Sequence, residues 1–334
     1  MSFPTAPSIT CKPRFMPPSS KPPTKPPPWF RRQRAIELAA LFVVAALAAG
    51  LVLIYQNIGR DTAVQWARTA PPFLGDQAVA KPRGIIEAAA VDAARVLEAI
   101  DIGAIRQGKM AVPTIYFARV PMDLADYLGP VDQKHLFIKL MLPLVLKLNA
   151  EIAELRGRLL RIRARESNTR SREDLAFVAE LGRWYGVKDG NMDALLARID
   201  SVPVSLALAQ AAEESGWGRS RFARVANAVF GQHAFRPGKP QVPHPVEGVA
   251  PIRAFPDLIS SIAAYMQNLN THRAYAQFRS LRAKARKAGK PVDSLVLAGT
   301  LIKYSERGED YIAGIRNHIT ANRFKQLDNA TLAE

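Results

Sequence analysis

Residues 205–218 contain an apolar helical segment followed by residues that end a helix, and they constrain the fold more than any other stretch. Mostly leucine and alanine fill 205–212, the adjacent carboxylates Glu213 and Glu214 follow, and Ser-Gly-Trp-Gly ends the segment. Because glycine commonly ends a helix, the carboxylates are expected at the helix C-terminus. The negative end of the helix dipole and desolvation by Trp217 both raise the pKa of a carboxyl group there. The stretch therefore predicts a helix that presents a general acid.

The charge of the chain limits its partners. The 334 residues carry a formal net charge of +17, which suits an anionic partner such as nucleic acid, anionic lipid or an acidic polymer. The standard nucleic-acid-binding signatures do not occur in the sequence, so we expect no nucleic-acid partner. The single Cys11 excludes an intrachain disulfide, and the five histidines lack metal-ligand spacing. We therefore expect neither a metal nor an organic cofactor.

The N-terminal part of the chain predicts a membrane anchor. Residues 1–34 are rich in proline, serine and lysine, as in a disordered basic tail. Residues 38–55 contain no charged residue, and 35–55 has the length that a helix needs to span a bilayer. More Lys and Arg precede the run than follow it, so the positive-inside rule places the N-terminus in the cytoplasm. A cleaved signal peptide is the alternative, although the run is long for one.

The middle of the chain is typical of a helical region. Residues 56–130 are interrupted by prolines and are interpreted as a linker without a functional assignment. In 131–166, apolar residues recur at steps of four and three, which predicts a long helix that Pro143 kinks. This helix either lies on the domain that follows or forms a dimerising coiled coil. With the shorter helices after it, it forms a helical neck at 131–200.

Polar caps locate further helices. Ser171 marks a helix start and Gly186 its end, and Asp257 caps a later helix. Ser201 is predicted to cap the helix of 205–218, with Pro203 in its first turn.

Two segments between these helices have unusual compositions. Six prolines within 237–256 forbid a helix and favour a stiff flap or hairpin. Residues 279–290 are strongly basic, which fits a solvated helix face or a contact with an anionic polymer.

Short motifs occur in a fixed order along the chain. They are Leu-Pro-Leu-Val-Leu at 142–146, Glu-Ser-Gly-Trp-Gly at 214–218, Asn-Ala-Val-Phe-Gly-Gln at 227–232, Asn-Leu-Asn-Thr-His at 268–272 with Tyr275, and Tyr-Ser-Glu-Arg-Gly-Glu at 304–309 with Tyr311. In this order the motifs resemble the bacterial glucosaminidases of glycoside hydrolase family 73, and most of all the membrane-associated Bax type. The resemblance covers roughly residues 131–326.

The resemblance implies a mainly α, lysozyme-like α+β fold with a small β element at its cleft. The catalytic domain would occupy 201–326, followed by a tail at 327–334. It also implies hydrolysis of the β-1,4 bond after N-acetylglucosamine in peptidoglycan or related glycans. Together with the predicted anchor, this gives a single-pass bacterial inner-membrane protein whose catalytic domain is periplasmic. A muramidase or lytic transglycosylase on the same fold and an inactive glycan-binding scaffold are the alternatives. The oligomeric state stays open.

Glycosidic cleavage needs an acid for the leaving oxygen and a group that stabilises an oxocarbenium-like transition state. Glu214 matches the family's catalytic acid, whereas Glu213 points roughly 100° around the helix and is expected to make a solvent or loop contact. Glu247, in the proline-rich flap, is a candidate base for an inverting reaction. Alternatively, the N-acetyl oxygen of the substrate attacks, and Tyr304 positions it or stabilises charge. Glu306 is the other acid to consider.

Three further residues are candidates for lining a sugar cleft. Trp217 and Phe230 either stack on a sugar ring or belong to the core. Asn227 hydrogen-bonds either a sugar hydroxyl or a loop backbone, and the sequence favours the backbone.

Overall fold

Helices build almost all of the described structure. The computed structural model describes residues 86–124, 129–234, 241–244 and 250–334. The helices are α1 (Ala90–Val96), α2 (Ile102–Arg106), α3 (Pro130–Ala164), α4 (Arg172–Tyr185), α5 (Met192–Arg198), α6 (Val204–Ser215), α7 (Arg221–Ala226), α8 (Leu258–Thr271), α9 (Ala276–Lys287), α10 (Ser294–Ala298) and α11 (Glu309–Ala321). Strands β1 (Gln241–Val242) and β2 (Ile252–Arg253) pair antiparallel, with Gln241 opposite Arg253. The expected mainly α class with a small β element is confirmed.

The predicted tail at 1–34 and membrane helix at 35–55 lie outside the described residues. Within the described ranges, none of the helices combines the length and apolar character that crossing a bilayer requires. The anchor therefore stays a prediction.

The long helix predicted from the apolar spacing is α3, and it continues through Pro143. Its residues Leu140, Leu144 and Leu148 are at most 1% exposed. They belong to the main hydrophobic core, and α3 packs on α6 and α8. Of the two alternatives for this helix, the structure shows the one in which it lies on the domain that follows.

Helix α6 lies at the centre of the fold. Its residues 204–212 are all buried, and the helix packs against α3, α10 and α11. The predicted cap at Ser201 is wrong, because the helix begins at Val204. Asp328 caps the first turn of the helix instead. The backbone N–H and the hydroxyl of Ser205 each donate a hydrogen bond to the Asp328 carboxylate at 2.8 Å. A carboxylate from the end of the chain thus replaces the local cap.

The other predicted caps are confirmed. Ser171 and Asp174 form a reciprocal capping box at the start of α4, and Gly186 ends that helix in the left-handed conformation. Asp257 accepts a hydrogen bond from the backbone N–H of Ser260 at the start of α8. Local sequence therefore determines these helix ends.

Residues from the predicted linker and tail contribute to the same body as α6. Leu97 and Phe117 belong to the main core. The backbone N–H of Val112 donates to the carbonyl of Thr331 at 2.7 Å, and the backbone N–H of Ala333 donates to the carbonyl of Val112 at 2.8 Å. The end of the chain is thereby held against the segment before α3.

Candidate active site

The end of α6 turns through three consecutive residues with positive φ. These angles are +55° at Gly216, +60° at Trp217 and +80° at Gly218. A side chain at Gly218 would meet Phe137 at 2.9 Å, so glycine is required there for both conformation and space. The hydroxyl of Ser215 accepts a hydrogen bond from the backbone N–H of Gly218 at 2.8 Å. The turn therefore holds the last residues of α6, including Glu214, in one arrangement.

Glu214 has the titration behaviour that an acid catalyst needs. Burial raises the pKa of its carboxyl group to about 7, and the charge of Glu213 acts in the same direction. A hydrogen bond from Tyr311 and the charge of Arg307 oppose this rise in pKa. A carboxyl group with a pKa near neutrality is protonated often enough to donate a proton at physiological pH.

A loop after α7 closes against the Glu214 carboxyl group. At Gly231, where φ is +60°, an added Cβ would lie 3.0 Å from Oε2 of Glu214. The loop is fixed at Asn227, whose side-chain amide donates to the backbone carbonyl of Phe255 at 3.0 Å. Asn227 is only 3% exposed. Its side chain thus makes the backbone contact that the sequence favoured, and it supports the loop that faces the acid.

A buried hydrogen-bond relay lies behind Glu214. The Tyr265 hydroxyl donates to Gln210 Oε1 at 2.8 Å, and Gln210 Nε2 donates to the Tyr311 hydroxyl at 2.9 Å. Tyr311 in turn hydrogen-bonds the carboxyl group of Glu214. Gln210 and Tyr265 are fully buried and Tyr311 is 1% exposed. The relay therefore joins α6, α8 and α11 to the acid.

Tyr304 lies beside this relay. Its ring stacks on Tyr311 with centroids 5.4 Å apart and planes 8° apart, and its hydroxyl donates to the carbonyl of Phe230 at 3.3 Å. Burial, followed by the neighbouring Tyr311 and Glu214, raises its pKa. Phe230 is 2% exposed and stacks on Tyr265, so it belongs to the core. The motif at 304–309 is thus brought next to the motif at 214–218.

Glu213 faces away from the relay and makes two side-chain contacts. Its carboxylate accepts hydrogen bonds from Arg307 at 2.6 Å and from His318 at 2.9 Å. The expected loop contact is therefore present through Arg307, which lies in the same loop as Tyr304. This pair connects the end of α6 to that loop and to α11.

Trp217 packs among other rings. Its centroid lies 6.1 Å from Phe137, 5.5 Å from His318 and 6.2 Å from Phe324, and Lys134 Nζ lies 5.1 Å from it. Trp217 is partly exposed. These contacts attach it to the core, and its stacking on a sugar stays a prediction.

The structure shows no contact between Glu214 and either of the other two predicted acids, Glu247 and Glu306, among the described residues. Glu247 lies outside the described residues. Glu306 is exposed in the loop with Tyr304, and the hydrogen bonds and ion pairs of the described residues do not include it. Their roles stay predictions.

Sequence reasoning did not assign Gln210, Tyr265, Tyr311 or Gly231 to the site. Gly231 and Tyr311 belong to the motifs of the resemblance, and Gln210 lies four residues before Glu214 and so shares its helix face. A glutamine within an otherwise apolar, buried helix needs hydrogen-bond partners, and this requirement marks it as a member of a polar cluster.

Comparisons with known proteins agree with this geometry. The glucosaminidase family model, described as mannosyl-glycoprotein endo-beta-N-acetylglucosaminidase, matches residues 192–323, which include the acid, the relay and Tyr304. Protein bax of Escherichia coli (strain K12) is 33% identical over 195 residues, which span 57% of this chain and 69% of that protein. The chain therefore belongs to the glucosaminidase family, in which it is similar to the Bax-type protein.

Proposed function

We propose that this protein is a peptidoglycan hydrolase, an endo-β-N-acetylglucosaminidase that cleaves the β-1,4 bond after N-acetylglucosamine. The single observation that carries the proposal is the half-buried carboxyl group of Glu214, with a pKa of about 7, on a segment that the glucosaminidase family model covers. Glu214 is the general acid that protonates the leaving glycosidic oxygen. Its neutral form supplies the proton as the bond to the anomeric carbon breaks.

The relay supports this role by defining the environment of the acid. Gln210 donates to the Tyr311 oxygen, so the Tyr311 proton is directed to Glu214. Once Glu214 has lost its proton, this hydrogen bond stabilises the carboxylate. Burial has the opposite effect on the pKa. The balance between the Tyr311 hydrogen bond and burial keeps the pKa of Glu214 in a range where the carboxyl group can donate a proton and then recover one.

Two partners for Glu214 are compatible with this mechanism. In one, Glu247 acts as base on a water, and the product has inverted configuration. In the other, the substrate's N-acetyl oxygen attacks the anomeric carbon, and Tyr304, which stacks beside the relay, positions the acetamide. Glu213 is a poor third partner, because Arg307 and His318 already occupy its carboxylate.

Product analysis tests the proposed reaction. Purified peptidoglycan is digested with the protein and the fragments are identified by mass spectrometry. Fragments with N-acetylglucosamine at the reducing end are expected. Anhydro-muramic ends would instead indicate a lytic transglycosylase, reducing muramic ends a muramidase, and an absence of fragments a glycan-binding scaffold.

Variants separate the two partners. Glu247→Gln is expected to abolish activity only in the route through water, whereas Tyr304→Phe impairs only the route through the acetamide. The anomeric configuration of the first-formed product, followed by NMR, distinguishes the two routes independently. Inversion supports the route through Glu247, and retention supports the route through the acetamide.

We also propose that residues 35–55 anchor the protein in the bacterial inner membrane, with the N-terminus in the cytoplasm and the catalytic domain in the periplasm. The uncharged run at 38–55 and the basic residues before it support this topology. Protease added to spheroplasts should degrade residues 86–334 while a tag before residue 35 stays protected. Degradation of the tag in intact spheroplasts would contradict the topology.

A further inference from the structure

Helix α9 belongs to a stretch with cations and no acids. Between Asp257 and Asp293 the sequence contains seven Lys and Arg residues and neither Asp nor Glu. Two of these cations are used internally: Arg282 and Arg286 approach the carboxylate of Asp200 at 3.7 and 3.0 Å. The others carry charge that the stretch itself does not balance.

Some of these cations line a groove between α5 and α9. The groove has a volume of about 510 Å³, and its charged lining residues are Arg198, Arg279, Lys284 and Lys287. Alanine and serine side chains form the rest of the lining. Among the ion pairs of the described residues, none involves any of these four cations. The groove is therefore cationic and without an acidic residue of its own.

Arg279 lies at the wall of the groove and is largely buried. This residue is 7% exposed, and its Nη1 donates to the carbonyls of Leu269 at 3.0 Å and His272 at 2.9 Å. Burial lowers the pKa of Arg279, and the like charge of Arg198 lowers it further. Two neighbouring guanidinium groups without a carboxylate repel each other, and a bound anion would relieve this repulsion.

We infer that the groove between α5 and α9 binds a linear polyanion, a flexible chain that carries carboxylate or phosphate groups along its length. Lys284 and Lys287 lie about one helical turn apart and are exposed, whereas Arg198 is half-buried and Arg279 is buried. A narrow chain can enter the groove and approach all four cations. A flat membrane surface would meet the two lysines but would not reach the recessed Arg279. The inference does not depend on the chemistry proposed for Glu214.

Binding of linear long-chain polyphosphate to the full-length protein tests the inference. The variant Lys284→Gln/Lys287→Gln removes two positive charges from the groove, and glutamine is chosen because it favours the helical conformation. Lys109→Gln/Arg161→Gln removes the same charge from exposed sites on other elements and is the matched control. We expect the groove variant to bind about tenfold more weakly, with a shallower dependence of affinity on salt, and the control to change about twofold or less. Equal losses in the two variants, or an absence of binding by the wild type, would overturn the inference.

Vesicles containing phosphatidylglycerol separate a polymer from a membrane. The groove variant and the control should bind these vesicles equally. A loss confined to vesicle binding by the groove variant would replace the polyanion groove with a membrane-docking face. Cleavage of a neutral chito-oligosaccharide should be the same in both variants and the wild type, which shows that the fold is intact. If the wild type does not cleave it, the proposed function fails, while the polyphosphate result is still decisive for the groove.

Discussion

The hydroxyl group of Tyr311 hydrogen-bonds the carboxyl group of Glu214 while it accepts a hydrogen bond from Gln210 Nε2 at 2.9 Å. The orientation of the Gln210 amide is fixed in turn by Tyr265, which donates to Oε1 at 2.8 Å. The direction of each hydrogen bond in the relay therefore follows from the one before it. The charge state of Glu214 is coupled to groups that are too buried to touch a substrate.

Replacement of Tyr311 by phenylalanine should shift the pH profile upward. The Tyr311 hydrogen bond lowers the pKa of Glu214, so its loss raises that pKa further. Because the acid must be protonated to act, the alkaline limb of kcat/KM should move up by about one pH unit. The control Tyr116→Phe alters a buried tyrosine elsewhere in the core. A limb that stays fixed in Tyr311→Phe, or moves equally in the control, would refute the coupling.

Glu213→Gln should shift the same limb in the opposite direction. The negative charge of Glu213 raises the pKa of Glu214, and its removal also leaves the positive charge of Arg307 uncompensated. Both changes favour the charged form of Glu214, so the alkaline limb should move to lower pH. Glu309→Gln, at an exposed position on α11, removes an equal charge and serves as control. An upward shift in Glu213→Gln would be inconsistent with this electrostatic account.

Gly231→Ala should impair catalysis as well as stability. The new Cβ would lie 3.0 Å from Glu214 Oε2, and φ of +60° is unfavourable for alanine. The backbone effect costs about 1–2 kcal/mol of unfolding free energy. Displacement of the acid should reduce kcat by about 100-fold. Gly289→Ala has a φ of +63° with open space around it, so it should lose similar stability but keep its activity. Equal kcat values in the two variants would contradict the close contact.

The raised pKa of Glu214 predicts a pH-dependent stability. The pKa is about 7 in the folded protein against an ordinary value of 4.5, so the folded state binds the proton more tightly. The stabilisation is present below pH 4.5 and is lost as the pH rises through 7. Wild type should therefore lose up to about 3 kcal/mol relative to Glu214→Gln between these limits. Urea denaturation at pH 4 and pH 8 measures the difference, and a constant difference would show that the pKa is not raised.

Local patterns predicted much of the fold. The capping box at Ser171 and the cap at Asp257 are formed by neighbours in sequence, and the spacing of apolar residues was enough to predict α3. The start of α6 was predicted wrongly at Ser201, since Asp328 caps the helix from the end of the chain. Sequence spacing gives no information about which distant carboxylate will reach a helix.

The site divides in the same way. The position of Glu214 in the last turn of α6 could be predicted because its motif is continuous in sequence. The contact between Gln210 and Tyr311 could not, since it depends on how α6 packs against α11. The identity of the catalytic partner of Glu214 could not be predicted either. It depends on where Glu247 lies, and Glu247 belongs to a proline-rich segment without a regular local pattern.

Leaving-group dependence of Glu214→Gln tests the general-acid role most directly. An acid is needed only when the leaving oxygen is basic, as in a glycan. With chito-oligosaccharides the variant should lose about 1,000-fold or more in kcat/KM. With a dinitrophenyl glycoside of the same sugar, whose leaving group needs no proton, it should stay within about tenfold of wild type. Equal losses on both substrates, or full activity on the oligosaccharide, would contradict the assignment of Glu214 as the acid.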